Sequence, residues 1–228
     1  MQRLKPILIA ALIGAVAGLL IRRFHLYELR HLPVFAFDPV LSSYKLYWRA
    51  SVAGWVAFSF YWEIAAKNVA KTKSSETLGS RRVHLFLTTV GMILVLAPFH
   101  GLGRFLPALP LLMAVGLAIE AAGLLLSIWS RRHLGKYWSG EITIKVEHQL
   151  IRSGPYRMLR HPIYTGLLAM YLGSVLVTGE WLALIGLAMA LLAYWRKIRL
   201  EEANLNVAFG ADYDAYRRDT WALVPGLF

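Results

Sequence analysis

Cysteine is absent from the 228-residue chain, which excludes disulfides, thiolate metal sites and any cysteine nucleophile. Acidic residues are scarce, 13 Asp and Glu against 25 Lys and Arg, for a formal net charge of +12. His25, His31, His84, His100 and His133 fall at no metal-ligand spacing, so no metal site is expected. Internal repeats are lacking too, which speaks against a transporter built from two related halves. No low-complexity linker interrupts the chain.

What the chain has in abundance is apolar surface. It is 57% hydrophobic and 13% aromatic, with a mean hydropathy of +0.50, above an ordinary soluble domain. Several runs approach the roughly 20 apolar residues that cross a bilayer. Spans are expected near 5–22, 48–67, 83–99 and 107–129, with two shorter ones near 163–178 and 181–198. The expected fold class is therefore an all-α integral membrane protein, a multi-span bundle of about five to six transmembrane helices. Arg3 and Lys5 precede Ala15-Val16-Ala17, which also resembles a signal-peptide cleavage site. A retained helix is the preferred reading, because the apolar run is long and its neighbours are spans as well.

The cations lie in the connections between spans. Lys71, Lys73, Arg81 and Arg82 occupy the 68–82 loop, whereas the 100–106 loop holds only Arg104. Arg131, Arg132, Lys136, Lys145, Arg152, Arg157 and Arg160 crowd the 130–160 connection. Cations at membrane boundaries face anionic lipid, so nucleic acid is not expected as a partner. The positive-inside rule puts the 68–82 and 130–160 connections and the C-terminal tail in the cytoplasm. Residues 22–45, with Arg22, Arg23, Arg30 and Lys45, break this alternation, so the orientation of the first span stays open.

The organisation changes near residue 130. Residues 1–129 read as N-terminal transmembrane helices and 130–228 as a functional core. Ile142, Ile144 and Val146 alternate with Thr143, Lys145 and Glu147, a short strand-like pattern. Ser153-Gly154-Pro155 signals a turn, and Pro162 suits the first turn of a helix. Thr178-Gly179-Glu180 marks a tight reversal, which makes 163–198 a helical hairpin. Arg196, Lys197 and Arg199 mark the next boundary. Glu201-Glu202 then reads as the start of an amphipathic helix that Gly210 would cap. Tyr213 and Tyr216, with Arg217 and Arg218, read as an interfacial segment. The polar stretches 131–162 and 196–220 flank one hairpin and emerge on one side, where they can build one pocket.

Four motifs stand in order: His148-Gln149-Leu150-Ile151-Arg152-Ser153-Gly154-Pro155-Tyr156, Arg160-His161-Pro162-Ile163-Tyr164-Thr165-Gly166, Glu201-Glu202, and Phe209-Gly210-Ala211-Asp212-Tyr213-Asp214-Ala215-Tyr216. Together they resemble the isoprenylcysteine carboxyl methyltransferase family and the related membrane phospholipid methyltransferases, over roughly residues 130–228. The resemblance implies methyl transfer from S-adenosylmethionine at the cytoplasmic membrane surface, to a hydrophobic or lipid-like acceptor. By motif position it implies that His148, Gln149, Leu150, Ile151, Tyr156, His161, Pro162, Tyr164 and Glu201 line the cofactor. Glu141 falls where some members have a glutamine touching it. Lys197 falls where eukaryotic members place an arginine that orients the acceptor, and Arg196 and Arg199 are neighbours able to share that role. A lysine is a point charge rather than a bidentate fork, so the acceptor class stays open.

The residue types suit this chemistry. A carboxylate such as Glu201 matches an ammonium or ribose hydroxyls, and Tyr156 and Tyr164 offer ring faces to a sulfonium. A carboxylate acceptor needs no general base; for an amine or thiol, His161 is the first candidate. Plainer readings stand beside these. His161 could cap the helix that Pro162 opens, Glu201-Glu202 could favour a helix dipole, and the tyrosines could be belt aromatics like Trp129, Trp138, Trp181 and Trp195. Arg196, Lys197 and Arg199 could be a positive-inside cluster. Glu120 lies mid-span, where a carboxyl is costly and so raises a functional hypothesis; the preferred reading is a protonated or hydrogen-bonded packing contact. An NADPH-dependent membrane reductase of the sterol type is the alternative function, since its C-terminal end shares part of this pattern.

Overall fold

The computed structural model describes residues 39–66, 72–75, 77–97, 102–138, 143–145 and 149–226. The first expected span, with its cleavage-site reading, lies outside these residues, as do Arg22, Arg23, Arg30, Glu141 and His148. The elements are α1 (Pro39–Ala65), β1 (Thr72–Ser75), α2 (Leu78–Leu96), α3 (Pro110–Leu134), β2 (Thr143–Lys145), α4 (Pro162–Thr178), α5 (Trp181–Phe209) and α6 (Ala211–Arg218). Among the described residues, α2, α5 and the run Pro110–Tyr137 are long and apolar enough to cross a membrane, and α4 is a shorter apolar helix. This is an all-α membrane fold with one small β pair. The helix over the expected span 48–67 starts earlier, at Pro39.

On α1, Tyr44, Trp48, Ser51 and Trp55 face inward, spaced three or four residues apart as one helical face requires. Leu46, Val56, Phe60 and Ile64 are exposed on the other side, where lipid is the natural neighbour. The buried stripe of α3 is small and polar: Gly116, Glu120, Gly123, Ser127 and Ser130. In lipid, close backbone approach replaces the hydrophobic drive for helix packing. Accordingly α3 packs most extensively on α4, and α2 on α5. A Cβ on Gly173 would sit 2.7 Å from the Glu120 backbone nitrogen, and one on Gly91 2.8 Å from the Gly186 carbonyl. Helix α4 is buried on nearly every side, with Ile163, Leu167, Met170, Tyr171 and Val175 in the core, and this central position suits an apolar helix with little polarity of its own.

The hairpin forms where Thr178-Gly179-Glu180 predicts. Gly179 adopts φ 63°, a left-handed cap whose N–H bonds to the Val175 carbonyl, a conformation glycine reaches at little cost. One sequence expectation fails here. Glu201 and Glu202 do not start a helix, because α5 runs unbroken for 29 residues from the hairpin turn to Phe209, about 43 Å at 1.5 Å per residue. No proline interrupts it. Its apolar part, 181–198, accounts for the crossing, and its polar end projects beyond. Gly210 caps it as expected, with its N–H on the Asn206 carbonyl.

The loops sort onto two ends. Strand β1 pairs antiparallel with β2, with Thr72 opposite Lys145, Ser74 opposite Ile144 and Ser75 opposite Thr143, so the 68–82 and 130–160 connections share one side. At the other end the backbones of Arg104 and Glu180 pair antiparallel. Arg131 ties the ends of α1 and α3, donating to the carbonyls of Ala65 and of Gly135, the latter at 2.8 Å. The tail folds back onto the linker. Leu159 bridges Trp221 in parallel, the Arg160 N–H donates to the Trp221 carbonyl (2.8 Å) and that of His161 to the Ala222 carbonyl (3.1 Å).

Candidate functional site

The site begins with the linker. Gly154–Arg157 form a single 3-10 turn that buries Tyr156, and the Tyr156 carbonyl accepts from the Tyr216 hydroxyl at 2.7 Å. Tyr213 and Tyr216, expected at the membrane interface, are both buried instead: they are the inward face of α6, packed toward the linker. The His133 ring lies against Tyr156, centroids 6.5 Å apart, and its Nε2 is 2.8 Å from the Ser153 hydroxyl.

Pro162 opens α4 as predicted, but His161 does not cap that helix with its side chain. The imidazole turns toward the polar end of α5. Its Nδ1 is 3.5 Å from Glu201 Oε2 and its Nε2 is 3.4 Å from Glu202 Oε1. Both ring nitrogens thus face carboxylates, a setting that calls for a proton on each. Burial works against the imidazolium, but the two carboxylates outweigh it and hold the pKa above its usual 6.5. Burial likewise opposes ionisation of both glutamates. Even so, Glu201 is pulled below the usual carboxylate range by His161, Lys197 and Tyr164. Glu202 falls from 4.5 to about 2 under His161 and Arg160.

The two carboxylates have different neighbours because adjacent helical residues point about 100° apart. Glu201 accepts from the Tyr164 hydroxyl at 2.6 Å, and its side chain keeps 19% exposure. Glu202 is gripped from the other side, by Arg160 Nε at 2.7 Å and by Arg217 Nε at 3.7 Å. Lys197 is buried, one helical turn before Glu201, with its Nζ 5.8 Å above the Tyr164 ring. Tyr164 lies nearly parallel to His161, 7° between planes, and its other neighbour is Tyr194 at 5.1 Å.

The structure therefore brings together His161, Tyr164, Lys197 and Glu201 among the residues singled out by sequence, with Pro162 at the helix start and Tyr156 buried beside them. It does not bring in the other two cations. Arg196 turns to the start of α2, donating to the Ser80 hydroxyl (3.0 Å) and carbonyl (3.3 Å), and Arg199 is exposed. Both lie off the stripe Tyr194–Lys197–Ile198–Glu201–Glu202 that faces inward. Gln149 is exposed and Leu150 and Ile151 are half-buried at the linker's start. Arg160, Glu202 and Tyr194 were not placed in the site by sequence, which read Glu202 as part of a helix start and Arg160 as a cation of the 130–160 connection. The inward spacing of Tyr194, Lys197 or Ile198, and Glu201 or Glu202 was the signal that could have grouped them.

Residues 111–212 match the family model described as phospholipid methyltransferase. Among curated proteins, the chain is similar to a protein-S-isoprenylcysteine O-methyltransferase of Dictyostelium discoideum. The two are 28% identical over 82 residues, 36% of this chain and 35% of that one. A protein of the same name from Schizosaccharomyces pombe is 30% identical over 80 residues, 35% and 34% of the two chains. Protein-S-isoprenylcysteine O-methyltransferase A of Arabidopsis thaliana is 28% identical over 116 residues, 50% and 56%. The chain spans between about a third and just over half the length of these relatives.

Proposed function

With a phospholipid methyltransferase segment over residues 111–212 as the premise, we propose that the protein is an S-adenosylmethionine-dependent membrane methyltransferase acting on a hydrophobic, lipid-like acceptor. One observation carries the reading. The linker and the end of α5 close over a buried His161–Glu201–Tyr164 set whose outer carboxylate, Glu201, keeps an accessible edge.

The residues fit the donor. Glu201 is ionised and has acceptor capacity beyond its bonds to Tyr164 and His161, which suits an ammonium or ribose hydroxyls. The Tyr164 ring already faces one cation, Lys197, and offers the same kind of face to a sulfonium. When bound, S-adenosylmethionine supplies an electrophilic methyl group. The chain supplies alignment and exclusion of water: the linker and tail cover the site, and Lys197 orients the acceptor from the membrane side.

His161 is the first base candidate for an amine or thiol acceptor, but its geometry argues otherwise. An imidazole between two carboxylates holds its protons rather than accepting another. The site is therefore suited to an acceptor that arrives ionised, a carboxylate or a thiolate. The apolar helices support lateral entry of the acceptor from the bilayer, and the cations of the 68–82 and 130–160 connections support a cytoplasmic active site.

The test is incubation of the purified full chain with radiolabelled S-adenosylmethionine and a native lipid extract. Label is expected in an extractable lipid product, released by mild alkali if the acceptor is a carboxylate. Label confined to water-soluble products would contradict lateral entry. Tight NADPH binding without S-adenosylmethionine binding would contradict the methyltransferase reading itself.

A further inference from the structure

Arg160 sits where three parts of the chain meet. Its Nε donates to Glu202 Oε1 at 2.7 Å, and its Nη1 donates to the Arg217 carbonyl at 3.1 Å and to the Thr220 carbonyl. The side chain is only 7% exposed. Its Nε and Nη1 are thus given to α5, to the last turn of α6 and to Thr220 just beyond it, and none of these three bonds goes to Glu201. The tail leaves α6 at this point and pairs with the linker through Trp221 and Ala222. The same Glu202 oxygen that takes the Arg160 bond is the one that meets His161 Nε2.

We propose that Arg160 is a positioning residue for the methyl-donor site: it locks Glu202 against the folded-back tail and so sets how His161 is held beside Glu201. The inference rests on the proposed methyl-donor reading but extends it from the residues that would line the donor to one that acts through another. Guanidinium geometry is what the role requires. A planar fork reaches a carboxylate and two carbonyls at once, whereas an ammonium at the end of a flexible stem cannot span all three in one plane. Arg217 also faces Glu202, at 3.7 Å, but its side chain is half-exposed, so its contribution is weakened by solvent. The groups facing His161 are Glu201 and Glu202 from α5 and Tyr164 from α4. Those facing Glu202 are Arg160, His161, Arg217 and Tyr213.

The experiment uses the full chain in lipid nanodiscs, titrated with S-adenosylmethionine by calorimetry. Arg160→Lys, Arg160→Gln and Arg217→Gln are compared with the unaltered protein, each checked by thermal unfolding. The His161 imidazole is followed by nitrogen NMR across pH, assigned by the signal lost in His161→Asn. Arg160→Lys should bind about tenfold more weakly and Arg160→Gln more weakly still, while Arg217→Gln stays within about twofold. In Arg160→Gln the His161 titration should move to higher pH, because a neighbouring cation is gone. Unchanged affinity together with an unmoved His161 titration would overturn the inference, and so would an Arg217→Gln loss equal to that of Arg160→Gln. Should Arg160→Gln not fold, a folded Arg160→Lys with undiminished affinity would overturn it alone. Failure of the unaltered protein to bind would instead defeat the donor reading, and the His161 titration would still decide whether Arg160 positions the ring.

Discussion

Two buried carboxyl clusters lie at different depths of one bundle, and they differ in the kind of partner each has. Midway along α3, Glu120 Oε2 accepts from the Ser51 hydroxyl of α1 at 2.6 Å and from the Ser174 hydroxyl of α4 at 3.0 Å. The Trp55 indole donates to the same Ser174 oxygen at 2.9 Å. These partners are all neutral. At the end of the bundle, Glu201 and Glu202 meet His161, Arg160, Arg217, Tyr164 and the neighbouring Lys197. Depth explains the contrast: charge is costly in hydrocarbon, so the inner carboxyl meets hydroxyls, both at Oε2, while its buried Oε1 accepts no hydrogen bond among the described residues. At the boundary, cations sustain ionised carboxylates and leave one of them an open edge. The inner cluster fastens three helices; the outer one is the proposed donor site.

Exchanging substitutions between the clusters tests that division. The largest effect is expected from Glu201→Ala, which should weaken S-adenosylmethionine binding about 10- to 100-fold, the range for a lost hydrogen bond to a charged group. Calorimetry should find Glu120→Ala near the unaltered affinity, and equal losses would erase the distinction. For stability the ranking reverses. Glu120→Ala removes the acceptor that ties Ser51 and Ser174 to α3, although the two hydroxyls still meet each other at 3.0 Å, and should cost about 1–3 kcal/mol in an unfolding titration, against a smaller loss for Glu201→Ala, whose site water can reach.

The pH dependence sharpens the same comparison. Glu202 falls from 4.5 to about 2 on folding, so its stabilisation is complete above about pH 4.5 and is lost as pH drops toward 2. His161 is raised above 6.5, so its stabilisation is complete below that value and is lost as pH climbs through the raised one. The cluster should therefore stabilise the fold most between about pH 4.5 and 6.5. Thermal unfolding across pH should show Glu202→Gln with a weaker acid limb, the part due to Glu201 remaining, and Glu120→Gln with both limbs intact.

The outer cluster was partly legible in the sequence. His161, Tyr164 and Glu201 stand in recognisable motifs, and Pro162 and Gly179 marked the hairpin through their own backbone preferences. The division between Glu201 and Glu202 was not legible, because it depends on the rotation of α5 against the linker. Arg196 looked equivalent to Lys197 for the same reason; only the packing of α2 on α5 shows that it reaches Ser80. The unbroken course of α5 was missed because a cationic boundary followed by two acids imitates a helix start. Glu120 was visible as a mid-span anomaly, but its partners Ser51 and Ser174 lie 69 and 54 residues away, beyond the reach of any local pattern.

Hydrogen–deuterium exchange of the full chain in lipid nanodiscs, with and without S-adenosylmethionine, tests most directly that linker and tail enclose one donor site. The account predicts that the donor slows exchange in two separate stretches at once, around Tyr156–Thr165 and around Leu200–Leu223, with the amides near Glu120 unchanged. Protection in neither stretch, or in only one of them, would contradict it.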